Sequence, residues 1–460
     1  LLADHINRHG LAGAIRPRAV LVSSETLFPW MRTDIEQAFG CKVHDGYGLG
    51  ELAAFITECR HGSLHVSPEY GVVESTTTDG EEYLDFAAGI AVNSTGHAHP
   101  HVAKAIADQA QRFIHAQVNV YRHDLLEPLA TKLAGLTPAG IDTFFFANSG
   151  AEITEASVKL AKQVTKRPHV VVFSGSFHGR THLAMAMTTS KTGYRAGHAP
   201  LPAGIFVAPY PDPLADDQDA EVARALHGFD HLLKSMTAPD ETAAVILEPV
   251  LGEGGYIPAP PAFIHGIVER CRAHGILFIA DEVQSGFGRT GKMFAVEHYG
   301  VEPDIICMAK GIASGFPFAA LGTRRELDER WTKGSHGGTY GGNAMGCAAA
   351  LATIELMEDP AFLANVVARG EQLRAGITAL QAEHDVIRQV RGLGLMVGTE
   401  LSDPARVAAI IAHCLDEGRL ILMNAGTYGT TVRWMPPLVV SEGEIDLGLA
   451  AFSAALKATA

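Results

Sequence analysis

The strongest constraint on this chain is a recurring pattern: short apolar runs without polar alternation, each ending in polar or glycine-rich residues. Phe144-Phe145-Phe146 runs into Asn148-Ser149-Gly150, and Val170 to Phe173 runs into Ser174 to Arg180. Ala243 to Leu247 ends at Glu248, Leu277 to Ala280 ends at Asp281, and Ile305 to Met308 leads to Lys310. Helix-like stretches lie between several of these runs; after Gly150, Ile153, Ala156, Leu160, Ala161 and Val164 share one face at helical spacing. Strands without alternation are covered on both faces, and with helices between them they predict an α/β fold around a mainly parallel sheet. Ligands of such sheets bind beyond the carboxyl ends of the strands. Ser149, His178, Glu248, Asp281 and Lys310 all fall there, so the strand endings nominate a single site.

From about Gly346 the pattern changes. An Ala-rich helical stretch runs through Leu356, followed by β-like runs around Leu393 to Leu401 and Leu420 to Met423 and the segment Val432-Arg433-Trp434. This predicts a smaller α+β domain. Near the other end, Val72 to Thr78 and Glu81 to Phe86 flank Asp79-Gly80, which predicts a hairpin. A length of 460 residues exceeds one compact core.

Lys plus Arg number 36 against 51 Asp plus Glu, a net charge of −15, which argues against a general nucleic-acid binder. Apolar residues at 47% and charged residues at 19% are an ordinary globular balance, and no apolar run is long enough to cross a membrane. The six cysteines are scattered without a C-x-x-C pair, which fits reduced thiols and a cytoplasmic location rather than a disulfide framework or a zinc site. The start, LLADHINRHG, has neither a basic opening nor an apolar signal stretch and lacks Met. The expectation is a piece of a longer product or a chain short of a few leading residues.

Lys310 follows a buried-looking strand. Burial would leave its amine neutral and able to form a Schiff base, whereas a lysine at a strand end is ordinarily a solvated surface residue. Asp281, at the end of another strand, could hold a pyridinium nitrogen protonated, or simply cap the next helix. Val283 could pack on such a ring and Gln284 bond its phenolic oxygen. Ser149-Gly150-Ala151-Glu152 opens a helix whose first amides attract phosphate, yet Ser149 and Glu152 also have the offset of a capping box. A capping Glu beside a phosphate would repel it, so the two readings compete. Phe177 offers a ring for stacking and Arg180 a guanidinium for a carboxylate; Glu248 and Glu253 add acids near the same edge. His97, His99 and His101 alternate in a loop without accompanying acids or cysteines, a poor chelating arrangement, and no metal site is expected.

The segments YLDFAAGIAVNSTGHAHP, FFANSGAE, FHGRT, LEPVLGEGG, ADEVQSGFGRTG, DIICMAKGIASGFPFAA, HGGTYGGN, VRGLGLMVG and AGTYGTTVRWMPPL occur in this order. From roughly residue 78 to the end, the chain resembles the class III pyridoxal-phosphate-dependent aminotransferases, most closely those of the 4-aminobutyrate type. The resemblance implies the fold-type I architecture: a large domain (113–345) with a mainly parallel seven-stranded sheet, and a small α+β domain built from 78–112 and 346–460. It implies Lys310 as the Schiff-base lysine and Asp281 as partner of the pyridine nitrogen, the two catalytic residues. Pyridoxal 5'-phosphate, with pyridoxamine 5'-phosphate as its intermediate form, would contact Ser149, Gly150, Ala151, Phe177, His178, Glu248, Val283 and Gln284. Thr339 would reach the phosphate from a neighbouring subunit, implying a homodimer. Ile90, Arg180, Glu253 and Arg433 match positions that contact substrate, a small amino donor or a keto acid acceptor such as 2-oxoglutarate or pyruvate. The N-acetylornithine or ornithine type and broad diamine transaminases share much of this pattern. Ile153-Thr154, Ala344 and Trp434 depart from it, and Trp434, next to Arg433, is expected to reshape the pocket.

Residues 1–77 do not resemble an aminotransferase start. VLVSSETLFPWMRTDIEQAFGCKVHDGYGLGELAAFITEC is similar to a fragment of phenylacetate–CoA ligase-type adenylating enzymes, with Gly50 where their Y-G-x-T-E motif has Thr. The phosphate loop and the later Asp and Lys motifs of that family are absent, so this part is expected to be an α/β appendage. The competing expectation is a ligase-related fusion in which the aminotransferase part is only a scaffold.

Overall fold

A computed structural model describes residues 82–460 throughout, and before them only the helix Pro29–Phe39 and the strands Val20–Val22, Val43–Tyr47, Ile56–Glu58 and Leu64–His65. The chain divides into two compact units, 1–69 and 70–460. In the first unit the four strands follow chain order, the first pair parallel and the others antiparallel. Gly48 to Glu51 of the Y-G-L-G-E segment lie outside the described residues, as do the first strand and turn of the expected hairpin. What is described of its second strand, Leu84–Asp85, pairs in parallel with Leu420–Ile421.

The largest sheet among the described residues has seven strands: β1 (Thr143–Ala147), β2 (His169–Phe173), β3 (Ile205–Ala208), β4 (Thr242–Leu247), β5 (Leu277–Asp281), β6 (Ile305–Met308) and β7 (Ala319–Thr323). Their spatial order is β1-β7-β6-β5-β4-β2-β3. Only β7 runs against its neighbours; the pairs from β6 across to β3 are parallel. This is the fold-type I architecture. Every residue of β4, β6 and β7 is buried, which is why their sequences do not alternate. The edge strand β1 differs: of its residues only Ala147 is buried. Helix α1 (Gly150–Thr165) buries the expected face, with Ile153, Ala156, Leu160, Ala161 and Val164 inside. Because β2, β4, β5 and β6 lie next to one another and run the same way, the segments after them emerge at one edge.

The C-terminal part carries an antiparallel sheet of β8 (Ile387–Leu393), β9 (Met396–Leu401), β10 (Met423–Ala425) and β11 (Thr431–Trp434), in the order β8-β9-β11-β10. The β-like run from Leu393 to Leu401 is thus two strands, split by a turn in which Gly394 adopts φ +51°, a conformation glycine takes at little cost. The Ala-rich stretch is the helix Ala344–Met357, whose Asn343 cap accepts the Gly346 amide at 2.8 Å.

Trp434 does not shape the pocket as expected. Successive residues of β11 face opposite sides, and Trp434 is fully buried against Phe86 and Phe452, with ring centroids at 6.1 and 4.9 Å. Its Nε1 donates to Thr399 Oγ1 at 3.0 Å. Trp434→Ala should therefore lower the unfolding free energy by about 3–5 kcal/mol in urea titration while leaving the ranking of substrates intact; a changed ranking at unchanged stability would contradict this placement.

Candidate active site

The first part of the site is the start of α1. Ser149 caps the helix, its Oγ accepting the Glu152 amide at 3.4 Å. The Glu152 carboxylate reaches back to the Asn148 amide and the Ser149 hydroxyl, both at 3.0 Å. Ser149 thus caps the helix, but Glu152 meets the Asn148 amide rather than that of Ser149, so the reciprocal capping box does not form. The amides of Gly150 and Ala151 belong to the first turn, where no intrahelical acceptor exists. Gly150 also stands close to Val283: a Cβ there would lie 2.8 Å from Val283 Cγ1, so the helix start rests on Val283.

Asp281 ends β5 with its carboxylate buried. Oδ1 accepts the Val283 amide at 3.1 Å and Oδ2 meets His178 Nδ1 at 2.7 Å. His178 is held by its own backbone, its amide bonding Thr188 Oγ1 at 3.0 Å and its carbonyl accepting Thr154 Oγ1 at 2.7 Å. Thr154, a departure from the family pattern, thus ties α1 to the His178 segment. Glu248, buried at the end of β4, accepts the amides of Phe177 at 2.8 Å and Gly252 at 2.9 Å. Burial pushes its carboxyl well up, His178 opposing and Asp281 adding to the shift. Gln284 is buried with Oε1 lacking a partner, an orphan group that a ligand is suited to satisfy.

Lys310 follows β6 in a left-handed conformation, φ 48°, uncommon for a side-chain-bearing residue. The 310–314 turn is clamped from the N-terminal segment: Thr95 bonds Ser314 Oγ through its amide at 2.8 Å and its hydroxyl at 2.7 Å. Burial lowers the Lys310 pKa to about 8, with Glu253 opposing, Arg433 reinforcing, and Asp281 and Glu248 opposing. Those four partners place the amine among the residues that the strand ends and the resemblance had singled out.

At the far side Glu253 and Arg433 form a buried ion pair. Glu253 Oε2 also accepts the Tyr194 hydroxyl at 3.0 Å. Burial opposes ionisation of Glu253, but the Arg433 charge outweighs it and holds the carboxyl below its usual range. Arg180 is exposed, with its guanidinium 4.6 Å from the Tyr194 ring centroid and 6.0 Å from that of Phe177. Phe177 is partly buried and edge-on to Tyr194 at 5.3 Å. Ile90 stands 39% exposed in a run from Ala88 to Ala91 in which every φ is positive, braced by Asp85 Oδ1 accepting the amides of Ala87 and Ala88. Thr339 is exposed, and among the described residues no hydrogen bond or ring contact joins it to the others.

Two residues of this cluster had no sequence signal. Tyr194 links Arg180 to Glu253, and the pKa of partly buried Lys191 is lowered by burial first, with Glu253 opposing and Arg433 reinforcing. Both lie between the helix His182–Met187 and β3, where no periodicity exists to flag them. The histidine alternation resolves into structural contacts: His97 Nε2 to Asp85 at 2.7 Å, His99 capping the helix Pro100–Arg112, and His101 Nε2 to Glu355 at 2.8 Å.

A lysine amine kept dry beside a buried Asp–His pair, with a free helix start opposite, defines a class of enzyme. The family model of the class III aminotransferases matches residues 61–456, and the chain belongs to that family. It is a pyridoxal-phosphate-dependent aminotransferase. It is 40% identical over 380 residues to the 5-aminovalerate aminotransferase of Pseudomonas putida and 38% identical over 380 residues to the 4-aminobutyrate aminotransferase of Escherichia coli; each alignment covers 81% of this chain and 88% of the relative. The acetylornithine aminotransferase of Methanothermobacter thermautotrophicus is 40% identical over 368 residues, covering 80% and 87%. Among solved structures, an (S)-enantioselective omega-transaminase from Thermomicrobium roseum superposes with a TM-score of 0.80 at 29% identity, covering 87% of this chain and 94% of that one.

With a pKa of about 8, roughly a tenth of Lys310 is neutral at pH 7 and nine-tenths at pH 9. Capture of pyridoxal phosphate by the apoenzyme, followed by absorbance, should accelerate about tenfold between those values and then level off. A rate still climbing tenfold per unit through pH 9 would show an ordinary, solvated lysine.

Proposed function

We propose that this enzyme transfers the amino group of an ω-amino acid of the 4-aminobutyrate or 5-aminovalerate kind to a keto acid such as 2-oxoglutarate or pyruvate, in two alternating half-reactions. The buried Glu253–Arg433 pair beside exposed Arg180 carries this reading. A donor of this kind has one carboxylate, far from its amine. Arg180 binds it over the Tyr194 ring, with Lys191 as a second cation at the same end. Glu253 meanwhile neutralises Arg433, which would otherwise face the donor as an unpaired buried charge. When a dicarboxylate arrives, Glu253 releases Arg433, whose planar fork clamps the α-carboxylate.

Bound pyridoxal phosphate supplies an electron-withdrawing ring that lets the substrate carbon lose a proton. The amides at Ser149, Gly150 and Ala151 would hold its phosphate, and Asp281, oriented by His178, would partner its ring nitrogen. Val283 and Phe177 would pack against the ring. Gln284, whose buried Oε1 has no partner, would bond its phenolic hydroxyl. Lys310 Nζ would serve as the base that takes the proton from the amine-bearing carbon and gives it up again. Glu248 keeps Phe177 and Gly252 in place behind this group.

The same reading joins residues 78–112 and 346–460 in one small domain, in keeping with the Leu84–Asp85 to Leu420–Ile421 pairing. It makes the enzyme a homodimer, the exposed Thr339 reaching the other subunit's phosphate; a monomeric mass in sedimentation would refute this. It places the enzyme in the cytoplasm, where the free thiols of Cys271, Cys307, Cys347 and Cys414 persist; among the described residues no helix is long and apolar enough to cross a membrane. The N-acetylornithine preference is the second reading, on the strength of a relative as similar as the first.

A donor panel of 4-aminobutyrate, 5-aminovalerate, N-acetylornithine and butylamine, each with 2-oxoglutarate and pyruvate, decides between them. Arg180→Ala should raise KM for 4-aminobutyrate about tenfold or more with butylamine little affected. Equal rises for both would remove Arg180 from carboxylate binding.

A further inference from the structure

The Glu253–Arg433 pair joins two elements that are distant in the chain, a glycine-rich turn after β4 and the strand β11. The turn is fixed at nearly every peptide. Gly252 donates to Glu248 Oε2 at 2.9 Å, and its carbonyl accepts the Gly255 amide at 3.1 Å. The Glu253 carbonyl accepts the Gly426 amide at 2.9 Å. A Cβ on Gly254 would lie 2.5 Å from the Gly175 carbonyl, so the turn abuts the segment that leads to Phe177 and Arg180.

The remaining anchor is Arg391 on β8. Its Nε and Nη2 both donate to the Gly255 carbonyl, at 3.0 and 2.8 Å. Nη2 also meets Glu400 Oε2 at 2.7 Å and Thr431 Oγ1 at 3.1 Å, while Nη1 donates to Gln389 at 2.8 Å. Thr431 closes the network by donating to Glu400 Oε2 at 2.7 Å. The Arg391–Glu400 pair is buried, each side chain 8% exposed. Gly255 has φ +124°, and a Cβ there would lie 3.0 Å from both Arg391 Nη2 and Thr431 Oγ1. Thr431 stands two residues before Arg433 on the same strand and so on the same face. One guanidinium therefore grips the peptide two residues after Glu253 and the hydroxyl two residues before Arg433.

We propose that Arg391, with Glu400 and Thr431, is a positioning device for substrate selection: it sets the spacing of the Glu253 and Arg433 backbones, so that opening and closing of that pair is confined to the two side chains. The proposal rests on the reading of Glu253–Arg433 as the element that tells an ω-amino acid from a dicarboxylate. A flexible turn would let Glu253 drift and leave Arg433 partly uncompensated. That state penalises a donor lacking an α-carboxylate and helps one that has it.

The test compares kcat/KM for 4-aminobutyrate and for glutamate in the holoenzymes of wild type, Arg391→Met, Arg391→Lys, Thr431→Val and Glu253→Gln. Arg391→Met should lower the 4-aminobutyrate-to-glutamate ratio about tenfold, the scale of a lost charge-assisted hydrogen bond. Arg391→Lys keeps the charge beside Glu400 but not the fork on Gly255, and should fall between it and wild type. Glu253→Gln should shift the ratio the same way. If Glu253→Gln shifts the ratio while Arg391→Met and Thr431→Val lower both constants together or neither, the positioning role is overturned and the Glu253–Arg433 reading stands. If Glu253→Gln leaves the ratio unchanged, both are overturned. Should Arg391→Met fail to fold, the near-isosteric Thr431→Val supplies the same comparison.

Discussion

A lysine amine out of water is unfavourable when charged, and the arrangement around Lys310 exploits that cost. Burial alone would push the amine's pKa further down. Here Glu253, Asp281 and Glu248 oppose that shift while Arg433 reinforces it, so the pKa comes to rest at about 8 rather than falling further. The position depends on a left-handed residue after a fully buried strand and on the Thr95–Ser314 clamp from the other end of the chain. The backbone strain at Lys310 is thus supported by the N-terminal segment, which also carries the positive-φ run at Ala88 to Ala91.

The second theme is compensation of buried charge. Arg433, Arg391 and Asp281 are each nearly dry, and each has a partner that is itself anchored: Glu253 through Tyr194, Glu400 through Thr431, and His178 through Thr154 and Thr188. Charges buried this way are costly to leave unpaired. The consequence for function is that a substrate must replace the partner it displaces, so selectivity at the Arg433 end is a comparison between two carboxylates, one from the protein and one from the substrate.

The non-alternating runs made the parallel core, the helix after Gly150 and the cluster of strand-end residues legible in advance, because burial on both faces leaves a direct mark in composition. Trp434 was misjudged, since adjacency to Arg433 in sequence means the opposite face in a strand. The pairing of Leu84–Asp85 with Leu420–Ile421 had no signal either: local turn chemistry carries no information about a partner far along the chain. The close approach of Gly150 to the Val283 side chain had no signal in the sequence. Tyr194 and Lys191 had no signal because irregular segments lack any period from which to read a facing.

By itself the sequence determined which residue types stand at the ends of the strands, and through the ordered motifs which family they belong to, since both are properties of local pattern. The tertiary structure decided which of those residues share a hydrogen bond or an electrostatic field. Asp281 meets His178, Glu253 meets Arg433 and Arg391 grips Gly255 only because strand order and loop closure bring them together. Pairing across such separations is set by how the layers pack, and no local pattern encodes it.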